Sequence, residues 1–509
     1  MLIPMSRMSL LLGFSALLPV VALAAPAEPL KVGTVRQLFV DETLMAEKRN
    51  VALQLHQAVP REIVLTVDKP WENPVLTYVS VFKDGDKYRM YYRGTGADAK
   101  YAKDVPAGMS AANWTYTAMA ESKDGITWTK PALNVVEFEG SKANNLVWPT
   151  DANKPWRTKN YPGTDIFPFK DENPAVPAAQ RYKALANLGE YELVALVSPD
   201  GVHWSPLQEQ PVISYLKPNA MMDPPTISYW DPVTKQYVAY ARNWINYRIR
   251  GFRRLTSPDY IHWSDPQPVT YGDGEVENLY TSMAIAYDRA PGITLFFSKR
   301  FARTDRLDPK RSPGVSEIVF LSSRDGLDFN HGFMEPFLPA GLDKNNWGPR
   351  GLMMGRGILQ TSPTELSLYY NENYGHETAR VRRATIRPDG FVSVHAPWAG
   401  GEFTTKHMIF EGNELEINYT TSAAGYIRVE LLDAEGKPLP GFRADECYEI
   451  YGDEIDRTVV WRKGHTDVID ENQREVRVEP SNVGLVAAGR PVRLRFVMKA
   501  AHLYSFRFK

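Results

Sequence analysis

The sequence holds one cysteine, Cys447, in 509 residues. It can form no intramolecular disulfide, so the core must hold the fold, which a chain this long can manage. Cys447 itself reads as a small buried apolar residue. An excess of either charge is also missing: 59 Lys and Arg stand against 60 Asp and Glu, a formal net charge of −1. Nucleic-acid-binding proteins carry a basic excess, so that class is excluded. No zinc-ligand spacing, phosphate loop or dinucleotide fingerprint occurs, and the sequence therefore calls for no cofactor and no metal. After Leu23 no apolar run is long enough to span a bilayer, so no membrane span is expected.

The N-terminus is where the apolar residues gather. Arg7 is the only charged residue before Glu28, and between them runs the stretch from Leu10 to Leu23, ending in Ala22-Leu23-Ala24. A charged start, an apolar middle and small residues at −3 and −1 make a secretory signal peptide. The expectation is an exported protein, periplasmic or extracellular, cleaved after Ala24. Aromatics are plentiful, with 12 Trp, 26 Tyr and 21 Phe, which suits sugar-binding surfaces and a large β core alike.

One short pattern recurs. It reads Ser122-Lys-Asp124-Gly125-Ile-Thr-Trp128, Ser198-Pro-Asp200-Gly201-Val-His-Trp204, Ser257-Pro-Asp259-Tyr260-Ile-His-Trp263 and Ser323-Arg-Asp325-Gly326-Leu-Asp-Phe329, with a weaker copy at Arg387-Pro-Asp389-Gly390-Phe391. Each copy has turn chemistry: Ser and Asp cap the bend, Gly accepts positive φ, and an aromatic packs back. An alternating aromatic strand precedes each copy, as in Tyr88–Arg93 and Tyr237–Arg242. Five units of strand, turn, strand, loop, strand and Asp-Gly turn predict an all-β chain built on a five-bladed propeller. The pattern stops near Gly400, and alternating strands from Leu415 onward predict a C-terminal β-sandwich. The expected domains are a signal peptide at 1–24, a propeller at 25–399 and a sandwich at 400–509. Gln37–Asp41 is assigned to the strand that closes the ring.

The segments Gln37-Leu-Phe-Val-Asp41, Phe82-Lys-Asp-Gly-Asp-Lys-Tyr-Arg-Met-Tyr-Tyr-Arg93-Gly and Gly452-Asp-Glu-Ile-Asp-Arg457 resemble bacterial exported proteins similar to the N-terminal domain of glycoside hydrolase family 32. The resemblance covers nearly the whole mature chain. It implies the five-bladed fold shared by families 32, 43, 62 and 68, with a following sandwich. The first-blade family signature is replaced here by Trp71-Glu72-Asn73-Pro74, while the middle-blade Asp-Pro is echoed by Asp223-Pro224. Glu446-Cys447 matches the third family motif but lies outside the blades, so it is rejected as the acid.

In propellers the start of each innermost strand lines the axial channel. The repeat places there Glu72 and Asn73 in the first blade, Asp165 in the second, Asp223 in the third, Glu277 and Tyr280 in the fourth, and Arg350 in the fifth. Two carboxyls suffice for glycoside hydrolysis. The candidate catalytic residues are Asp223, Glu277, Glu72 and Asp165. Trp71, Asn73, Tyr280, Trp347, Arg350, Glu372 and His376 are candidate substrate contacts. Each has a plainer reading: Asp223 as a turn cap before Pro224-Pro225, Glu72 as a rim residue, Glu372 and His376 as a surface loop. The arginines at 242, 248, 250, 253 and 254 fit a solvated outer strand better than an anionic-sugar site. The expected function is glycoside hydrolysis of a carbohydrate substrate. A non-catalytic carbohydrate-binding propeller is the alternative. A polysaccharide lyase using Tyr280, Arg350 or His376 ranks third.

Overall fold

The computed structural model describes residues 28–95, 115–150, 165–188, 192–214, 226–245, 249–272, 276–302, 314–348, 350–462 and 482–509. The expected signal peptide and Asp223 lie outside the described residues. So does Arg248.

Five antiparallel sheets from consecutive stretches of chain make five blades. Blade 1 runs outward from Thr77–Asp84 through Lys87–Thr95 and Tyr116–Ser122 to the short pieces Trp128–Thr129 and Leu146–Trp148. Blade 2 begins at Phe169–Lys170 and continues with Tyr182–Leu188 and Glu192–Ser198. Blade 3 is Ile227–Asp231, Gln236–Ile245, Ile249–Ser257 and Gln267–Pro268. Blade 4 is Met283–Ala286, Thr294–Ala302 and Val315–Ser323, edged by bridges to Asn330 and Leu338. Blade 5 pairs Met353–Met354 and Leu359–Ser362 with Glu365–Glu372, followed by Arg380–Ile386. Strands at the centre of neighbouring blades touch all the way round, and blade 5 meets blade 1. The five-bladed architecture expected from the furanosidase-type resemblance is present.

The ring is closed by Val59–Thr66, which pairs with Arg380–Ile386 as the outermost strand of blade 5. This corrects the assignment to Gln37–Asp41. Val59–Thr66 carries Pro60, Arg61 and Glu62, residues that suit an exposed sheet edge, and Glu62 is tied to Arg383 at 2.8 Å. Gln37–Leu38 pairs instead with the last strand of the chain.

The repeated turn locks one blade to the next. In blade 1, Ser122 Oγ accepts from Gly125 N at 2.8 Å, and Asp124 Oδ1 accepts from Ile126 N and Thr127 N at 2.8 and 2.7 Å. The left-handed glycine (φ +74° at Gly125, +77° at Gly201, +74° at Gly326) turns its carbonyl toward a tyrosine of the preceding blade. Tyr369 donates to Gly125 O at 2.6 Å, Tyr91 to Gly201 O at 2.8 Å and Tyr240 to Gly326 O at 2.7 Å. Between blades 2 and 3 the arrangement is swapped. The second strand of blade 2 offers Leu185, and the turn carries Tyr260 at φ +70°, whose ring fills the space and whose hydroxyl meets Ser228 Oγ at 2.8 Å.

The rest of the chain forms a second unit with its own core. Two long strands, Leu415–Leu432 and Arg493–Phe508, pair through a register break between Thr421 and Tyr426. Val392–Ala396, Gly401–Thr405 and Asp453–Thr458 join them in one eight-stranded sheet. Three N-terminal strands complete that sheet: Gln37–Leu38, Met45–Arg49 and Ala52–Leu55. The stretch before residue 56, expected in the propeller, therefore belongs to the C-terminal unit. Cys447 is buried in this second core, where burial pushes its thiol up to about 11. Among the described residues no helix is long and apolar enough to cross a membrane.

Candidate functional site

The second strand of each blade sets the site. It carries one large residue that packs on the turn of the next blade: Tyr91 against Trp204, Tyr240 against Phe329, Phe297 against Phe391 and Tyr369 against Trp128. Leu185 takes that place in blade 2. Strand alternation returns the same face two residues later. The residues there are Arg93, Asn187, Arg242, Lys299 and Asn371, all buried.

Four of these side chains meet the start of the next blade. Arg93 donates to both carboxylate oxygens of Asp165, with Nε to Oδ1 at 2.8 Å. Arg242 donates to the Tyr280 carbonyl and lies 4.5 Å over the Tyr280 ring. Lys299 faces Arg350 electrostatically. Asn371 Oδ1 accepts from Thr77 at 2.8 Å. One end of the propeller axis is thus surrounded by groups from different blades.

Three tyrosines supply faces there. Tyr280 has Lys299 Nζ at 5.4 Å and Arg250 at 5.6 Å from its ring centre. Arg350 stacks on Tyr374 at 5.4 Å and donates to its hydroxyl at 3.4 Å. Arg93 stacks on Tyr78 at 4.5 Å. Lys299 is 2% exposed. Burial, reinforced by repulsion from Arg350 and Arg250, pushes its ammonium down to about 7. Among the described residues no three His, Cys, Asp or Glu side chains converge to hold a metal ion.

Of the residues expected from sequence, Asp165, Tyr280 and Arg350 come together at this mouth. Glu72 does not. It is wholly buried, accepting from Lys130 Nζ at 2.7 Å, Tyr92 OH at 2.8 Å and the backbone of Asp68 and Lys69. Lys130 follows an outer strand of blade 1 and also contacts the end of the ring-closing strand through Thr66 O. Glu72 is therefore a buried post at the blade 5–blade 1 seam, where a sugar has no access. Trp71 and Asn73 belong to the same seam: Trp71 donates to Asn145 at 2.8 Å, and Asn73 is fully buried.

Glu277 sits on the far side of its blade from Lys299. Burial pushes it up, but His331 at 2.9 Å and Arg300 at 3.2 Å outweigh that and hold it below the usual range. Glu372 is bound by Arg380 at 2.6 Å, Arg382 at 3.1 Å and Tyr370 OH at 3.1 Å. His376 lies in the turn after that strand, and Trp347 stands 45% exposed beside Gly341, to whose carbonyl it donates.

Sequence reasoning missed Arg93, Lys299 and Tyr374, and it read Arg242 as solvated whereas Arg242 is 1% exposed. The signal that finds them is the position two residues past each second-strand aromatic. A groove elsewhere, at the seam with the second unit, is walled by groups such as Arg387 and Asp453 that pair with each other.

No family model matches the sequence, and no curated protein matches it. Solved structures that are similar include a family 43 arabinoxylan arabinofuranohydrolase from Bacillus subtilis in complex with cellotetraose. It is 12% identical over 89% of this chain and 99% of that one, with a TM-score of 0.44. An N-acetylgalactosamine deacetylase from F. plautii in complex with blood group B trisaccharide is 13% identical over 67% and 96%, TM-score 0.44. A chain named glycoside hydrolase is 12% identical over 66% and 93%, TM-score 0.44. Such values carry no activity across.

Proposed function

We propose that this chain is an exported glycoside hydrolase that takes a glycan end or a short oligosaccharide into the axial mouth. The observation carrying the reading is the convergence there of fixed polar side chains and three tyrosine faces drawn from different blades. Concave sites with aromatic walls and a few placed donors and acceptors are what small-ligand recognition requires. Hydrolysis needs two carboxyls flanking the glycosidic bond. Asp165, aimed by the two hydrogen bonds it accepts from Arg93, supplies one. Asp223 is assigned as the other from its position before the inner strand of blade 3, which begins at Ile227.

The test is sugar release from a broad glycan panel by the wild type, Asp165→Asn and Asp223→Asn. Active wild type and two folded variants slowed by about 10²- to 10³-fold are expected, the scale of a lost electrostatic contact in a transition state. Binding to a glycan with no release from any would replace this reading by a second, a non-catalytic carbohydrate-binding propeller. The locking of Glu72, Glu277 and Glu372 onto cations favours that second reading.

A further inference from the structure

We propose that the substrate is a sugar chain rather than a single-sugar glycoside, and that Trp347 is the platform on which the chain rests as it leaves the axial mouth. The inference rests on the glycan-acting reading above and narrows its substrate class. Its first support is where the topology puts Trp347. The inner strand of blade 5, Met353–Met354, pairs antiparallel with Glu365–Glu372, and Met353 lies opposite Asn371. The segment entering the first strand and the segment leaving the second therefore stand at the same end of the blade. At that end Asn371 meets Thr77 of blade 1. Trp347 is on the entering segment and Tyr374 on the leaving one. Arg350, three residues after Trp347, stacks on Tyr374 at 5.4 Å. Three residues of chain span at most about 11 Å. Trp347 is thus set on the rim of the mouth, within reach of a short oligosaccharide that starts at the Arg350–Tyr374 stack.

The second support is how firmly this rim is built around a residue that the fold leaves half in water. Asp343 caps the short helical turn Lys344–Asn346, with one oxygen accepting from Asn345 N at 3.1 Å. Its other oxygen accepts from Asn373 Nδ2 and Arg380 Nη2, both at 3.0 Å. Asn346, 2% exposed, donates to the Ala340 carbonyl at 3.3 Å and accepts from Asn373 N at 3.0 Å. Asn373 holds a left-handed backbone at φ +59°, a strain that persists only where the surroundings over-determine it. Loop and turn are therefore one stiff piece. That piece presents Trp347, 45% exposed, to solvent. The indole N–H donates to the Gly341 carbonyl at 2.7 Å, so what remains for a ligand is ring face. A sugar ring carries a face of C–H groups that lies flat on such a surface. A large exposed aromatic continuous with a polar cleft is a recognition surface rather than a packing need.

Binding is measured by calorimetry with gluco-, xylo-, arabino-, manno- and galacto-oligosaccharides, each as a ladder from monomer to hexamer. In at least one ladder the wild type is expected to gain about tenfold in affinity from the shortest member bound to the longest. Two variants separate the ring face from the hydrogen bond. Trp347→Phe keeps a face and loses the donor to Gly341, whereas Trp347→Gln keeps a donor and loses the face. Trp347→Phe is expected to hold most of the length-dependent gain and Trp347→Gln to lose it, with both binding the shortest member as the wild type does. A role in holding the loop alone would give the reverse order and overturn the inference. A wild type that binds every length alike, or a folded Trp347→Gln that keeps the gain, would also overturn it, and the glycan-acting reading would stand. Should Trp347→Gln fail to fold, tryptophan fluorescence decides: the change on adding the longest oligomer bound is expected in the wild type and not in Trp347→Phe, and an equal change in both would overturn the inference. Binding to no ladder, with no sugar released from the glycan panel, would overturn both readings.

Discussion

Glu72 offers the sharpest separation of structure from chemistry in this protein. Its carboxylate is fully buried and its partner Lys130 has a side chain only 6% exposed, with 2.7 Å between charged atoms. Removing one member of such a pair leaves the other charge buried and uncompensated, which costs about 3–5 kcal/mol. Lys130→Met strands Glu72 in this way, with Tyr92 OH and two backbone N–H groups as its remaining donors. Glu72→Gln is gentler, because Lys130 retains Asp68 at 2.7 Å and the Thr66 carbonyl at 2.7 Å. Its cost should be about 1–3 kcal/mol. The double variant leaves no stranded carboxylate, so it should be more stable than the two single losses added together, by about 0.5–3 kcal/mol. Urea unfolding followed by tryptophan fluorescence measures all three against the wild type, with midpoints compared at constant slope. Sugar release per folded molecule should stay at the wild-type level in Glu72→Gln. The reasoning fails if Glu72→Gln unfolds with the wild type while its turnover collapses, for that result would put Glu72 at the reacting bond.

Three other expectations concern the frame. Asp124, Asp200 and Asp259 are held at about 2 in their turns, for Asp124 chiefly by the backbone N–H of Thr127 and Ile126, so each stabilises the fold above about pH 4 and loses that contribution as pH falls toward 2; Asp124→Asn should flatten part of this acid limb in a melting-temperature series. His502 is pushed down to about 4 by burial and by His395 and His56, so the folded state resists protonation, and stability should be full above about pH 6.5 and decline as pH drops to 4; His502→Gln should remove that decline, and a wild type whose melting is level across the window would contradict the assignment. Tyr260→Gly relieves left-handed backbone strain of about 1–3 kcal/mol but opens an aromatic-sized cavity between blades 2 and 3 costing about 3–5 kcal/mol. The variant should therefore melt earlier, and a gain in stability would show that strain dominates.

Much of the fold was legible because it is written locally. Ser122, Asp124, Gly125 and Trp128 make their turn within seven residues, and the same chemistry recurs three more times almost unchanged. A five-fold repeat of strand and turn leaves few architectures open. What was misread depends on pairing across the whole chain. Whether Gln37–Leu38 or Val59–Thr66 closes the ring turns on partners more than 300 residues away, Ser505 and Phe506 for the first and Arg380 to Thr385 for the second. Both are short apolar or alternating runs, and alternation says which face a residue takes, never which strand lies beside it.

The site was legible only where its residues stand at the start of an inner strand, as Asp165, Tyr280 and Arg350 do. Glu72 occupies the same kind of position by sequence count, yet Lys130, 58 residues later, draws it into the seam. A carboxylate's role is fixed by the cation it finds, and that cation can be remote in sequence: Arg93 lies 72 residues from Asp165 and His331 lies 54 from Glu277, whereas Arg380 lies only 8 from Glu372. The arginines of blade 3 looked solvated because arginines usually are. Their register argues otherwise. Tyr240 locks the next turn, so the residue two further on faces the next blade as well, and that residue is Arg242. The same step from Tyr91 gives Arg93, and from Phe297 it gives Lys299. A propeller face that must be apolar for blade packing turns cationic at one level in three of five blades. At that level Arg93 is held by the Asp165 carboxylate and Arg242 by the Tyr280 carbonyl, so the start of the next blade answers two of the three charges.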